Sequence, residues 1–275
     1  MTDERLARVA RGWDEAAEGY ERYFVPRFAP WVVAAVNALT SAQSGAPGLP
    51  EGPILVPCCG TFPELDLLIE RFPDREIAGI DLSAEMVRLA RERAARLGCS
   101  DVDVVQGDAQ VLDPRWAGRC AAVVSVFGLQ QLPDPETAIR SWLDALTPGG
   151  RLSVVYWPEI TEDDGPFALV AKLLGERSDY SWESRLVTGL DAEIERDELV
   201  SYPMTHPDAA TYFDTANHGG SMRALALARG DEFIAQLREN YLRHAPAGEW
   251  THHPRARLIV VRKPLSRAEA TPPTS

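Results

Sequence analysis

Ile54-Leu55-Val56-Pro57-Cys58-Cys59-Gly60-Thr61-Phe62, with Gly79-Ile80-Asp81-Leu82-Ser83 downstream, reads as a nucleoside-binding βαβ unit with a rewritten glycine loop. The apolar run Ile54 to Val56 has the composition of a buried strand, and Gly60 marks a tight turn. Glu64 to Arg71 carries a helical pattern, and Ile77 to Ile80 forms a second strand that ends on an acid. Asp81 at that strand end is placed to accept hydrogen bonds from two ribose hydroxyls. A dinucleotide site needs three glycines, and here only Gly60 is present, with Cys58 and Phe62 in the flanking places. Phe62 at the helix entrance would keep a pyrophosphate from the bare backbone N–H groups it needs, so the expected ligand is a nucleoside without phosphates.

Outward from this unit, strand and helix patterns alternate. Strands are predicted over 53–57, 76–81, 102–106, 119–126 and 150–157, and helices over 63–71, 84–97 and 135–146. Such alternation builds a parallel sheet covered on both faces, with ligands outside the carboxyl ends of the strands, where Pro57, Asp81, Asp108 and Phe127 fall. Before it, Leu6, Val9, Trp13, Ala16 and Tyr20 share one face of a helix over 3–24, and a second helix is predicted from Arg27 to Ala42, behind Pro26. After Pro158 the expected elements are a helix from Phe167, a β-like stretch over 193–202, helices over 208–213 and 221–243, and a last strand over 257–261.

The chain from about Trp13 to Pro158, and less specifically to Lys263, resembles the class I S-adenosylmethionine-dependent methyltransferases, especially their small-molecule branch. Three stretches carry the resemblance beside the first motif. Gly79 to Ser83 with Met86 looks like the ribose-binding strand end and its following helix. Val105-Gln106-Gly107-Asp108-Ala109 looks like the segment that holds the adenine, with Asp108 accepting from its amino group. Phe127-Gly128-Leu129-Gln130-Gln131-Leu132-Pro133-Asp134-Pro135 looks like the motif after the fourth strand, with Gln130-Gln131 where many members carry two histidines. The resemblance implies an α/β fold: a Rossmann-like, seven-stranded, mostly parallel sheet with helices on both faces, N-terminal helices, and a helical cap inserted before the last strand. It also implies S-adenosyl-L-methionine as cofactor, with Tyr20, Pro57, Cys58, Gly60, Asp81, Leu82, Met86, Asp108, Ala109, Phe127 and Gln130 around it. On this plan residues 1–45 are a helical lid, 46–202 the cofactor-binding core, 203–254 the cap, 255–264 the final core strand and 265–275 a disordered tail.

One departure matters. The family's first motif usually carries an acid at the position of Val56, which helps bind the methionine ammonium. Val56 cannot accept a hydrogen bond, and an unpaired buried ammonium costs roughly 1–3 kcal/mol or more. The carbonyls of Pro57 or Cys58, or a carboxylate from Glu64 or Asp66, would have to compensate.

Composition narrows the function classes. A formal net charge of −13 argues against a nucleic-acid partner, because phosphate contacts need clustered cations. With 45% hydrophobic residues and no apolar run near the ~20 residues of a membrane span, a globular chain that does not cross a membrane is expected. The first residues are acidic and polar with no signal-peptide core, which leads us to expect a cytoplasmic protein. Cys58, Cys59, Cys99 and Cys120 show no metal spacing and read as reduced, space-filling thiols, with a nucleophile or redox pair as the alternative. No metal is expected; a homodimer is compatible with this composition.

Methyl transfer from a sulfonium asks the protein to hold the acceptor in line and to manage one proton. Among the histidines His218 is the candidate base, because Asn217-His218-Gly219-Gly220 reads as an exposed loop between helices. His206, His244, His252 and His253 are each expected to be surface or structural. Phe127, Trp157, Tyr212 and Phe213 either line an acceptor pocket or pack the core, and Tyr20 either closes over the cofactor or belongs to a helical stripe. The expected activity is methyl transfer to O, N or S of a small metabolite. The alternative is a methyltransferase-fold protein with another role, such as a cyclase or a non-catalytic binding module, suggested by Val56 and Phe62.

Overall fold

The computed structural model describes residues 3–40, 48–99, 101–175, 179–217 and 220–265. Its centre is a seven-stranded sheet. The strands are β1 (Ile54–Pro57), β2 (Ile77–Asp81), β3 (Asp103–Gln106), β4 (Cys120–Val126), β5 (Leu146–Tyr156), β6 (Glu193–Ser201) and, last in the chain, β9 (Arg255–Arg262). They lie in the order β3-β2-β1-β4-β5-β9-β6. Strands β1 to β5 run parallel, and β9 is antiparallel to both of its neighbours. The predicted mostly parallel, Rossmann-like architecture is therefore the observed one.

Alternation along each strand decides which face a residue serves. Ile54 and Val56 of β1, Val124 of β4, Val155 of β5 and Leu258 of β9 pack into one core layer. Leu55, Val123, Val154 and Ile259 from the same strands pack into the opposite one. The first layer is covered by helices α1 (Asp3–Asn37), α2 (Leu65–Arg71) and α3 (Ala84–Arg96), the second chiefly by α4 (Pro135–Ala145). A strand buried on both faces reads as a continuous apolar run, which is why 54–56 and 120–126 stand out in the sequence.

The expected break at Pro26 is absent: α1 is one helix of 35 residues with Pro26 and Pro30 inside it. An interior proline costs a helix about 3 kcal/mol through its missing N–H and its ring. Packing offsets that cost, because Phe28, Trp31, Val32, Ala35 and Val36 are all buried against the sheet. At its other end α1 is tied to the site elements. Asp14 accepts from the Ser83 hydroxyl at 2.6 Å and from the Glu85 amide at 3.1 Å, at the start of α3. Glu21 accepts from Arg93 at 2.7 Å and from the Thr61 hydroxyl.

The segment before β9 is not wholly helical. It contributes β7 (Met204–His206) and β8 (Trp250–His252), paired antiparallel in a small second sheet. Between them lie α6 (Ala209–Ala216), α7 (Gly220–Arg229) and α8 (Asp231–His244); Gly230, at φ 86°, splits the single helix expected over 221–243. Tyr212, Phe213, Ile234, Leu237 and Tyr241 form a separate core, which α5 (Pro166–Leu174) completes through Phe167, Leu169, Val170 and Leu173. The packing of this layer thus begins earlier in the chain than residue 203. The tail beyond 265 lies outside the described residues.

Candidate functional site

Strand order reverses at β1, whose neighbours are β2 and β4. A crevice outside the carboxyl ends of such strands is the usual ligand position in an open α/β sheet. A cleft of about 770 Å³, counted out to its mouth, occupies that place. It is lined by Tyr20, Cys58, Gly60, Asp81, Leu82, Met86, Asp108, Ala109 and Phe127, all expected from the sequence. Leu6, Val9 and Trp13 of α1 also line it, as do Gln131, Leu132 and Pro133. These residues come from five separate stretches of chain, and the fold brings them to one crevice.

The loop after β1 keeps a glycine-like backbone without the glycines. Cys58, Gly60 and Phe62 have φ of 56°, 54° and 63°, the left-handed region at alternate residues. For a non-glycine residue that conformation costs roughly 1–2 kcal/mol. Two glycines elsewhere make room for the side chains: a β-carbon on Gly79 would stand 2.8 Å from the Phe62 ring, and one on Gly128 would stand 2.4 Å from the Cys58 Cβ. The Phe62 ring is fully buried in the core layer and does not line the cleft, contrary to the expected block at the helix entrance. Cys58 is the side chain that this loop presents to the cleft. Burial pushes the thiols of Cys58 and Cys59 well above the ordinary range, which suits space-filling groups rather than nucleophiles.

Asp81 organises the site. Its Oδ2 accepts from the Gly60 amide at 2.8 Å and its Oδ1 from the Ser83 amide at 2.9 Å. Burial raises its pKa, opposed by the bonds from Ser83 and Gly60. A carboxylate offers about four acceptor positions, so two remain for a diol. Asp108 is exposed, and its Oδ1 turns back onto the Gln110 amide at 2.9 Å. Ala109 is buried, its carbonyl accepting from the Trp142 indole at 2.8 Å.

Two of the expected residues fall outside the cleft lining. The Pro57 carbonyl already accepts from the Ser125 hydroxyl at 2.9 Å. Gln130 donates to the Phe127 carbonyl at 2.7 Å, and Gln131 takes the place at the cleft. His218 lies outside the described residues.

On the side facing α5 and α6 the cleft meets an aromatic run. Phe127 stacks on Trp157 with ring centres 4.1 Å apart and planes at 10°, and Phe28 packs against both. Phe167 continues from Trp157 to Tyr212.

Residues 54–150, which contain every one of these strand-end motifs, match the family described as methyltransferase domain. That segment is similar to a methyltransferase domain, and it makes up less than half of the chain. Demethylmenaquinone methyltransferase of Thermus thermophilus is 34% identical over 111 residues, which is 40% of this chain and 49% of that one. A ubiquinone/menaquinone biosynthesis C-methyltransferase of Pseudomonas savastanoi is 37% identical over 90 residues, 32% of this chain and 35% of that one. The chain thus spans half or less of the length of the curated relatives it matches. The YcgJ protein of Bacillus subtilis has the same fold, with a TM-score of 0.59 at 17% identity, over 86% of this chain and 98% of that one. Within the matched residues lie the strand-end stretches around Gly60, Asp81 and Asp108, whereas Trp157, Phe167 and Tyr212 of the aromatic run lie beyond them.

Sequence reasoning missed one assembly. The Tyr23 hydroxyl is 2.8 Å from His206 Nδ1, His206 Nε2 is 2.9 Å from His252 Nε2, and His252 Nδ1 is 2.5 Å from a Glu162 oxygen. Each histidine had been readable only singly, and the β7–β8 pairing is what brings the two rings together. Glu162 also accepts from the Phe167 and Ala168 amides, so the chain of bonds ties α1, the small sheet and the start of α5.

Proposed function

We propose that the chain binds S-adenosylmethionine in this cleft and transfers its methyl group to an O, N or S atom of a small molecule with an apolar, ring-bearing body. Asp81 carries the reading: a half-buried strand-end carboxylate, fixed by two backbone amides, keeps two acceptor positions for the ribose diol. Gly60, Leu82 and Met86 surround the same position, and Asp108 and Ala109 stand where an adenine would lie. Bound there, the cofactor would supply an electrophilic methyl on a good leaving group. What the protein adds is position: Tyr20, Trp13 and Leu6 from α1 cover the cleft and exclude water, while Phe127, backed by Trp157, offers a flat apolar surface to an acceptor.

The relatives named for methylation of demethylmenaquinone make flat, ring-bearing acceptors the first class to test. The acceptor itself is not inherited from them, because the chain spans half or less of their length. Calorimetry with S-adenosylmethionine, S-adenosylhomocysteine and a dinucleotide tests the cofactor, with binding of the first two and not the third expected. Label transfer from methyl-labelled S-adenosylmethionine to a panel of hydroxylated, amino and thiol aromatics then tests the reaction. Cofactor binding without transfer to any acceptor would favour the second reading, a methyltransferase-fold protein with another role, which the replaced acid at Val56 and the strained Cys58 and Phe62 keep in play.

A further inference from the structure

Glu64, four residues beyond Gly60, has only 2% of its surface exposed, and its Oε2 has no hydrogen-bond partner among the described residues. A buried polar atom left without a partner costs on the order of 1–3 kcal/mol, so its retention calls for a reason. Its surroundings supply little positive charge. Among the described residues Arg93 is the cation that acts on it, yet the Arg93 guanidinium is already bonded to Glu21 at 2.7 Å, Asp66 at 3.0 Å and the Thr61 carbonyl at 3.0 Å. The other titratable groups that feel its charge are Tyr20, on α1 and lining the cleft, and Cys59 of the glycine-like loop. Burial pushes the Glu64 carboxyl up to about 8, so near neutrality it holds a proton and waits for a cation.

The rest of the loop leaves one vacancy in the chemistry. Val56, at the strand end where an acid would serve the cofactor's amino group, is apolar and fully buried. Asp66 is half exposed and engaged by Arg93, and the Pro57 carbonyl is taken by Ser125. We propose that Glu64 replaces the missing acid and holds the α-ammonium of the cofactor's methionine moiety, directly or through one water. This rests on the cofactor reading above. On binding, the carboxyl releases its proton to solvent, the ammonium keeps its own, and a buried ion pair forms where a neutral acid stood.

The test is calorimetric and needs no acceptor. At pH 6.5, titration with S-adenosylhomocysteine in buffers of different ionisation enthalpy is expected to show release of about one proton by the parent. Glu64→Gln, which keeps shape and removes charge, is expected to release none and to bind about 10- to 100-fold more weakly, the range for a hydrogen bond to a charged group. Methylthioadenosine, which has the nucleoside but no amino acid, is expected to bind both proteins alike. Equal S-adenosylhomocysteine affinity in parent and variant, or no proton release by the parent, would overturn the assignment. Should Glu64→Gln fail to fold, the proton count of the parent still decides. Failure of the parent to bind either ligand would strike the cofactor reading itself and this inference with it, whereas methylthioadenosine binding with an indifferent Glu64 would strike this inference alone.

Discussion

The Cys58 side chain fills the space that a β-carbon on Gly128 would need, the two Cβ positions being 2.4 Å apart. Gly128 has an ordinary helical backbone, φ −88°, so its restriction is purely steric. Gly128→Ala is therefore expected to destabilise the fold by about 1–3 kcal/mol, the usual cost of overpacking. In a Cys58→Gly background most of that penalty should vanish, because the obstructing atom is gone and the left-handed backbone at 58 is relieved. Chemical denaturation of the two single variants and the double gives the coupling, expected at about 0.5–3 kcal/mol. Strictly additive losses would mean that the neighbouring Ser125 hydroxyl, 3.0 Å from the same point, sets the limit.

Asp81 braces the loop through the Gly60 and Ser83 amides, and the proposed function gives it the ribose diol as well. Asp81→Asn retains the shape but presents only one oxygen to the Gly60 and Ser83 amides and the ribose diol. Affinity for S-adenosylhomocysteine is expected to fall by about 1–3 kcal/mol. Unchanged affinity in a folded Asp81→Asn protein, read by calorimetry, would remove Asp81 from the ribose site.

What was legible in the sequence follows from what period and punctuation can encode. Strands buried on both faces gave apolar runs, and the strand ends gave Gly60, Asp81, Asp108 and Phe127 in the order in which the cleft uses them. Proline punctuation misled at Pro26, because the sheet beneath Phe28 and Trp31 outweighs a local break. Phe62 misled because its backbone sign of φ, invisible in sequence, turns the ring into the core. His206 and His252, far apart in the chain, carry no local signal of being partners. Glu64 was readable only as one of several possible substitutes for an acid; burial and an unpartnered oxygen single it out.

Glu64 also leaves a signature on the protein without ligand. With its folded pKa pushed up to about 8 from an ordinary 4.5, the native state holds a proton that the unfolded chain has lost between those values. Its contribution to stability is complete below about pH 4.5, declines as pH rises, and is gone above about pH 8. The slope is at most about 1.4 kcal/mol per pH unit. Urea denaturation of parent and Glu64→Gln across pH 5 to 9 should show the variant gaining on the parent as pH rises. Parallel pH profiles would place the carboxyl in an ordinary, solvated state.

The His206–His252 pair predicts the opposite pH sign. Both rings are buried, and every nitrogen is satisfied when Tyr23 donates to His206 Nδ1, His206 Nε2–H donates to His252 Nε2, and His252 Nδ1–H donates to the Glu162 carboxylate. Burial, with His252 and Arg27 nearby, lowers the His206 pKa to about 3. The unfolded chain therefore takes up a proton near pH 6.5 that the native ring refuses, and stability falls as pH drops from about 6.5 toward 3. His206→Gln, which keeps an acceptor and donors but does not titrate, should flatten that part of the profile relative to the parent. His252→Ala is expected to cost about 1–3 kcal/mol, because it leaves the buried Glu162 Oε2 and His206 Nε2–H without the ring that bonds both. If His206→Gln kept the parent's acid slope, the His206 ring would not be the buried neutral group that these distances describe. If His252→Ala cost less than about 1 kcal/mol, water would be reaching Glu162 and the bonds joining α1 to the small sheet would be peripheral to its docking.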